Sequence, residues 1–456
     1  MLKTPTPQQH ELEMVTLDQL VPANHLVRQL DKYIDFEFIR NEVKALYCPD
    51  NGRPPVDPVR LFKIILLGYL FGLKSERQLV KEIEVNVAYR WFLRMGLTEK
   101  VIDASTLSQN RIRRFNGTDV FERIFNHIVT QAMDYGLVGG KAVFTDSTHL
   151  KANANKRKSK NIYKPVKPSA YIKQIDKAVE ADRKAAGKKP FKEKQVCEVK
   201  RNKQSTTDPD SGYMHRDEKP KGFFYLDHRT VDGDYNIIID THITPGNVHD
   251  AQPFIARIDK IKATFNISPI FAGVDAGYAT APVCYALETR EIIGVIGYRR
   301  PSRTKNKIKK KHFTYDESKN QYTCPEGQIL IYKTTSREGY REYHSNPMQC
   351  VNCHQLLDCT KSKNHKKVIT RHVQQSSLDN ANAFRLTNTG KALYRRRCET
   401  VERSFADAKQ HHGHRYARFR GKANVQHQAY MAASAQNIKK IAMLLHKTNE
   451  PERKAA

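Results

Sequence analysis

The segment between residues 141 and 298 alternates short apolar runs with helical patterns, and this alternation restricts the possible folds more than any other feature. Three runs rich in β-branched and aromatic residues come first: "KAVFTDST", "GFFYLDHR" and "YNIIIDTHITPG". A helix opening at "NVHDAQPFIARIDKI", a strand "PIFAGVD", a helix "APVCYALETR" and a strand "IIGVIGY" follow. The order β, β, β, α, β, α, β predicts an α/β fold with a mixed sheet flanked by helices.

Helical patterns precede this sheet. Between Asp57 and Phe115, four amphipathic segments are separated by glycine and polar breaks, which predicts an all-α N-terminal domain over residues 1–125. One of these segments, "STLSQNRIRRF", carries exposed-type basic and polar residues, as a recognition helix in a DNA major groove requires. We therefore interpret residues 1–125 as a DNA-binding domain.

Two segments interrupt the core pattern. Residues 151–222 are basic and poor in apolar side chains, which predicts a solvated insertion with one or two helices. Residues 301–383 contain a cluster of cysteines and form a second insertion. The sheet-containing core is therefore assigned to residues 126–300, and its C-terminal helices to residues 384–456.

The charge of the chain indicates its partner. Lys and Arg number 78 against 48 Asp and Glu, a formal charge of +30, and nucleic acid is the usual partner of so basic a surface. The longest apolar run, "LFKIILLGYLFGL", is too short to span a bilayer, and the first residues lack the apolar region of a signal peptide. We expect double-stranded DNA as the partner, no membrane association and a cytoplasmic location.

Three carboxylates are candidate metal ligands. Asp146 and Asp275 each close a predicted strand of one sheet. An aspartate at such a place is often only a turn or capping residue, but Gly277 after Asp275 permits close approach of a ligand. Two such aspartates with a third carboxylate would form the oxygen site that Mg²⁺ or Mn²⁺ prefers. Glu402 and Glu399 are the candidates for the third carboxylate.

The stretch "YRRRCETVERSFADAK" has the composition of a helix and mixes both signs of charge. A solvated helix with weak ion pairs would explain the mixture. On a regular helix, however, residues seven apart lie within about 20° of one another, so Arg395, Glu402 and Lys409 would share one face. Glu402 would then point at the metals between two cations suited to DNA phosphates, whereas Ala406 lies seven residues after Glu399.

Four cysteines in the second insertion are candidate ligands of a structural Zn²⁺ ion. Cys350 and Cys353 have the spacing of a thiolate knuckle, and Cys324 and Cys359 lie upstream and downstream of them. Reduced thiols without a metal are the alternative interpretation.

Taken in order, these segments resemble the DDE transposases of bacterial insertion sequences, whose catalytic core has an RNase H-like fold. "VFTDSTHLKAN" and "FAGVDAGYAT" resemble the two Asp motifs, "DHRTVDGDYNIIIDTHITPGNVHDA" the strand pair between them, and "YRRRCETVERSFADAK" the glutamate helix. "RPPVDPVRLFKIILLGYLFGLKSERQL" resembles the helical domain before the core. The resemblance covers most of the chain.

The resemblance implies that Asp146, Asp275 and Glu402 are the catalytic carboxylates, which bind Mg²⁺ or Mn²⁺. It also implies cleavage and strand transfer at the DNA ends of the chain's own element, by a protein that acts on DNA as a dimer in the bacterial nucleoid. A non-cutting DNA-binding protein derived from such an enzyme, and an RNase H-like nuclease, are the alternatives.

The resemblance further implies that Tyr394, Arg397 and Lys409 bind DNA. In the family, the glutamate helix often has Tyr, two residues, Arg, three residues, Glu, six residues and Lys. Tyr394 and Arg397 lie one residue too far from Glu402 for this pattern. A π-bulge between Arg397 and Glu402 would restore the register. Without one, Arg395 would serve on the Glu402 face instead.

Overall fold

The computed structural model describes residues 14–48, 50, 55–165, 170–191, 199–215, 221–298 and 308–454. Strands β1 to β13 of this part are, in chain order, Ala142–Lys151, Ser159–Pro165, Val199–Ser205, Gly212–Met214, Gly222–Asp232, Ile238–Pro245, Phe271–Val274, Ile293–Ile296, Thr314–Asp316, Gln321–Thr323, Ile329–Thr335, Tyr340–Ser345 and Val368–His372.

Helices α1 to α8 precede β1 and are Leu17–Leu20, Leu26–Tyr33, Phe38–Val43, Pro58–Leu70, Glu76–Val85, Val87–Phe92, Ala104–Gln109 and Val120–Asp134. Helices α9 to α17 are Ala170–Ala185, Ala251–Phe265, Ala281–Glu288, Pro347–Cys350, Leu356–Cys359, Gln375–Leu386, Asn388–Arg397, Arg403–His411 and Lys422–Lys454. Short 3-10 turns at 44–46, 276–278 and 310–312, and π-helical turns at 110–114 and 398–402, complete the described secondary structure.

The central sheet has the strand order β6-β5-β1-β7-β8, and β4 pairs with the end of β5. β1, β5 and β6 form an antiparallel meander, whereas β7 and β8 run parallel to β1. The predicted mixed sheet is confirmed, and its order is that of the RNase H-like fold.

β5 is the most enclosed strand of this sheet. Each of its residues from Gly222 to Asp232 is buried, so it does not show the alternation of a strand with one solvated face. Helices cover the sheet: α17 packs on β6, and α14 and α15 pack on β8 and β7. The candidate site lies where β1 and β7 meet the helices α15 and α16.

The helical N-terminal region and the sheet share one hydrophobic core. The long helix α17 packs on α2, α4 and α8 as well as on β6, and one apolar cluster runs from Val27 through Phe125 to Ile441. The expected boundary at residue 125 falls inside α8, because that helix faces α17 rather than ending a separate domain.

The first insertion differs from the expected solvated segment. Besides α9, it contains an antiparallel hairpin of β2 and β3, and its last strand, β4, joins the central sheet. α9 packs on the second insertion. Asp182 of α9 accepts a hydrogen bond from Thr335 Oγ1 at 2.6 Å and forms an ion pair with Arg341. The basic composition did not predict these long-range contacts, because the composition reflects mainly the exposed side chains.

The second insertion is built on an antiparallel sheet with the order β13-β12-β11-β10-β9. Its small core contains Phe313, Tyr322, Leu330, Tyr343 and Ile369. The expected boundary at 383 lies within α14, which packs on α11 and β8 and so belongs structurally with the central sheet. The boundary near 300 lies outside the described residues.

Across the described part of the chain, no helix combines the length and the apolar character needed to cross a bilayer.

Candidate active site

The register between β1 and β7 determines where the two aspartates lie. The parallel pairing runs from Ala142 opposite Phe271 to Phe144 opposite Gly273. Continued by two residues, the same register sets Asp146 level with Asp275. The two residues are 129 positions apart in sequence, yet they emerge at the same edge of the sheet.

The expectation that Asp146 closes its strand is wrong. β1 continues to Lys151 because β5 pairs with it as far as Lys151 opposite Phe224. Its other edge loses its partner earlier, because β7 ends at Val274. Asp146 therefore lies in mid-strand, immediately beyond the point where the space beside β1 opens.

Asp275 follows β7 directly and caps the next turn. Its Oδ1 accepts a hydrogen bond from the backbone N–H of Gly277 at 2.8 Å. A Cβ atom on Gly277 would lie 3.0 Å from that same oxygen. Capping and a ligand role are thus compatible here, since the cap uses one carboxylate oxygen and the glycine leaves room around it.

The glutamate helix contains a π-helical turn between Arg397 and Glu402, which is the irregularity that would bring Arg397 into register with Glu402. α15 ends at Arg397, the π turn spans Cys398–Glu402, and α16 begins at Arg403. The additional residue in this turn rotates Arg397 towards Glu402. Arg397, rather than Arg395, therefore faces Glu402, and Arg395 is exposed to solvent.

Arg397 joins two of the candidate carboxylates. Its Nη1 donates to Asp146 Oδ2 and its Nη2 to Glu402 Oε1, each at 2.7 Å. The Arg397 side chain is 8% exposed, Asp146 19% and Glu402 47%, so the contact with Asp146 is the more enclosed. The competing residue, Glu399, is exposed, and its backbone carbonyl accepts a hydrogen bond from Asn236.

Burial and charge oppose one another in this pair. Burial raises the pKa of Asp146, and the nearby Asp275 raises it further, although the Arg397 charge and the Ser147 N–H act in the opposite direction. Burial alone would lower the pKa of Arg397, but the carboxylates of Asp146 and Glu402 raise it above its ordinary value. The Arg397 charge thus favours the ionised form of Asp146, against the effect of burial.

Tyr394 and Lys409 flank these carboxylates. The hydroxyl of Tyr394 lies against Gly297, whose missing Cβ would come within 2.6 Å of it. Lys409 Nζ donates to Thr148 Oγ1 at 2.5 Å, two residues beyond Asp146 on β1. Glu402 and Lys409 therefore both face β1, as their seven-residue spacing on this part of the helix predicts.

A buried polar network behind the site was not predicted. Asp227, Arg229 and His414 are completely buried, and Asp227 Oδ2 accepts hydrogen bonds from Arg229 Nε and His414 Nε2, each at 2.8 Å. Arg229 also donates to Gln436 at 2.6 Å and to Ser404 at 3.3 Å. The four consecutive polar residues of "LDHRT" inside an apolar strand were the available signal, since buried polar groups need partners.

The donor set fits a hard divalent cation, because carboxylate oxygens are the preferred ligands of Mg²⁺ and Mn²⁺. In the described residues, however, no group of three or more His, Cys, Asp or Glu is arranged to hold a metal. At the carboxylates, the guanidinium of Arg397 occupies the space between Asp146 and Glu402.

The four candidate zinc ligands, Cys324, Cys350, Cys353 and Cys359, line one small cavity. Burial raises the pKa of Cys359, and its three neighbouring thiols contribute in the same direction. Since no group of His, Cys, Asp or Glu in the described residues is arranged to hold a metal ion, the four cysteines do not form a closed tetrahedral site here. Zinc binding remains a prediction.

The proposed recognition helix is partly occupied by internal contacts. Arg111 pairs with Glu76 and lies over the ring of Phe419 at 4.0 Å, and Arg114 lies over Tyr47 at 4.0 Å. Arg113 remains exposed. Another basic surface was not predicted: a groove between the β5–β6 turn, α16 and α17 is lined by Arg403, Lys439, Lys440 and Lys447, together with the acidic Asp234 and Asp407.

The comparisons with known proteins found two family matches. Residues 15–113 match the family described as Transposase domain (DUF772), and residues 323–442 match the family described as Transposase DDE domain. Among curated proteins, no sequence matches the chain.

Solved structures give distant similarities. A piggyBac transposase synaptic complex with hairpin DNA is 10% identical, with 94% of this chain and 79% of that chain covered and a TM-score of 0.27. A Mos1 transposase paired-end complex with left transposon end is 14% identical, with 54% and 61% covered and a TM-score of 0.15. At such low scores the backbones superpose poorly.

The two family matches bracket the central sheet. One lies on the N-terminal helices, and the other includes the glutamate helix. Between them, the strand order β6-β5-β1-β7-β8 is RNase H-like. The chain is therefore similar to transposase families on both sides of this sheet, in its N-terminal helices and in the segment that includes the glutamate helix.

Proposed function

We propose that this protein is a catalytically active DDE transposase, which cleaves and rejoins DNA at the ends of its own insertion sequence with Mg²⁺ or Mn²⁺ as cofactor. The observation that supports this most strongly is the convergence of Asp146, Asp275 and Glu402. They come from three distant parts of the chain, and the β1–β7 register and the Arg397 contacts draw them to one edge of the sheet.

In this proposal, Asp146, Asp275 and Glu402 hold the divalent ions. When bound, such ions activate the attacking hydroxyl or water and stabilise the leaving oxygen of a phosphodiester. Asp275 keeps its orientation through the Gly277 N–H, and Glu402 is held by the helix that Arg397 joins to β1. The exposure of Glu399 away from this contact supports Glu402 as the third ligand.

Double-stranded DNA is the proposed substrate, both as element end and as target. Tyr394, Arg395, Arg397 and Lys409 would bind its backbone beside the carboxylates, in a chain with a formal charge of +30. The groove lined by Arg403, Lys439, Lys440 and Lys447 offers a further phosphate-binding surface. Since phosphate contacts release counterions, binding should weaken steeply as salt rises.

Transposition requires two ends held together, so we propose that the protein acts as a dimer on DNA. Its place of action would be the bacterial cytoplasm, on the nucleoid, where its substrate lies.

The test is excision in cells of a marked DNA segment bounded by the native flanks of the gene. Wild type is compared with Asp275→Ala, Glu402→Ala and, as a matched control on the same helix, Glu399→Ala. Excision by wild type and Glu399→Ala alone supports the proposal. Specific binding to the flanks without excision by wild type would instead identify a non-cutting DNA-binding protein, and cleavage of DNA without regard to the flanks would identify a nuclease.

A further inference from the structure

Arg397 occupies the position that a cation would take between two of the proposed metal ligands. One guanidinium nitrogen contacts Asp146 and the other contacts Glu402, at equal distances of 2.7 Å. Arginine more often directs its two nitrogens at a single carboxylate. Here the fork is divided, so the positive charge lies between the two carboxylates.

The contact is enclosed rather than a surface ion pair. The whole Arg397 residue is 7% exposed, and its Nε is buried without a hydrogen-bond partner among the described residues. A buried donor without a partner is costly, so the two ion pairs must compensate for it. The π turn at Cys398–Glu402 makes this geometry possible, because it turns Arg397 and Glu402 towards β1 together.

Without a cation, Asp146, Asp275 and Glu402 would repel one another. Arg397 neutralises one of these three charges and ties the glutamate helix to β1. The same guanidinium must compete with any divalent ion that binds both carboxylates, since both cations use the same oxygens. A divalent ion carries twice the charge and can replace it.

We propose that Arg397 is the internal counter-cation of the metal-free site: it holds Asp146 and Glu402 in place and is displaced from at least one of them when a divalent ion binds. This rests on the proposed function, because it takes Asp146, Asp275 and Glu402 as the metal ligands. Arg397 is then a positioning residue that lowers the affinity of the site for metal while it keeps the site assembled. Once displaced, its charge remains beside the carboxylates, where a DNA phosphate would approach.

The test measures Mn²⁺ binding to the full-length, chelator-treated protein without DNA, by electron paramagnetic resonance of free Mn²⁺. Arg397→Gln removes the guanidinium charge, and Lys391→Gln is the matched control, because Lys391 is an exposed cation on the same helix. We expect Arg397→Gln to bind Mn²⁺ at least about tenfold more tightly than wild type, given the close charge repulsion removed. Lys391→Gln should stay within about threefold of wild type, because an exposed charge is screened.

Equal or weaker Mn²⁺ binding by a folded Arg397→Gln protein would overturn the inference. The variant Asp275→Asn distinguishes failure of this inference from failure of the proposed function, because it removes the charge of a proposed metal ligand that Arg397 does not contact. If wild type binds Mn²⁺ and Asp275→Asn binds it equally well, the metal is elsewhere, and both proposals are wrong.

A second measurement uses only wild-type protein and so does not depend on the folding of a variant. Crystal structures without and with Mn²⁺ should differ at Arg397: at least one of its two contacts should be broken when Mn²⁺ is bound to the carboxylates. Mn²⁺ on Asp146 and Glu402 with both Arg397 contacts intact would contradict the displacement.

Discussion

Replacement of Arg229 by methionine should loosen the glutamate helix from the sheet. The Arg229 side chain is completely buried and pairs with Asp227 at 2.8 Å, while its other nitrogens reach Ser404 on α16 and Gln436 on α17. Ser404 lies two residues after Glu402. Arg229 thus connects β5 to both helices, and methionine retains an apolar stem of similar length without the charge.

The expected cost follows from the charge that remains. Burial acts to raise the pKa of Asp227, but the Arg229 charge and hydrogen bonds from His414 and Thr241 together hold this pKa well below its ordinary value. Removal of one partner from a buried ion pair typically costs about 3–5 kcal/mol. The double variant Asp227→Asn, Arg229→Met removes the unpaired charge as well and should recover more than about 1 kcal/mol of that loss.

Backbone hydrogen exchange is the appropriate assay, because the single tryptophan, Trp91, lies in α6 and reports on the helical region instead. A loss of about 3–5 kcal/mol corresponds to protection lowered about 10²- to 10⁴-fold in peptides from β5 and α16. Wild-type protection in Arg229→Met, or a double variant less protected than the single variant, would refute the reasoning.

Three further predictions concern other parts of the molecule. Gly297→Ala should lower excision and reduce the free energy of unfolding by about 1–3 kcal/mol, because the added Cβ would lie 2.7 Å from the Ala276 nitrogen beside Asp275. Urea unfolding measures this loss, and unchanged stability and excision would contradict the prediction. Burial lowers the pKa of His412 to about 4, so the neutral folded form is favoured above pH 6.5 and stability falls as pH drops towards 4. His412→Asn should remove up to about 2 kcal/mol of that pH dependence between urea titrations at pH 7 and pH 5, and an unchanged pH dependence would refute the assignment. Purified wild-type protein should contain one zinc ion per chain by mass spectrometry, and Cys353→Ser should contain none. Folded wild-type protein without zinc would show that the four cysteines are reduced thiols that bind no metal.

The sequence predicted the part of the fold that depends on local pattern. The strand and helix order between residues 141 and 298 is confirmed, because each run is long enough to show its period. The mid-strand position of Asp146 could not be predicted, since β1 is extended by its pairing with β5, a partner more than seventy residues away. For the same reason the composition of residues 151–222 gave no sign that α9 packs on the second insertion.

The sequence likewise predicted only part of the candidate site. Spacing left Arg395 and Arg397 as alternatives, and the π turn at Cys398–Glu402, which selects Arg397, depends on packing against β1 rather than on helix propensity. The network around Asp227 was missed because polar residues in a strand usually face solvent. Here both faces of β5 are covered, so its polar residues are paired inside the core.

DNA strand cleavage by purified protein tests most directly whether Asp146, Asp275 and Glu402 form the catalytic site. The substrate is DNA carrying the native flanks of the gene, with Mg²⁺ present, and the variants Glu402→Gln and Glu399→Gln are compared with wild type. We expect cleavage at the element ends by wild type and Glu399→Gln, and none by Glu402→Gln. Cleavage by Glu402→Gln at the wild-type rate, with loss of cleavage in Glu399→Gln, would contradict it.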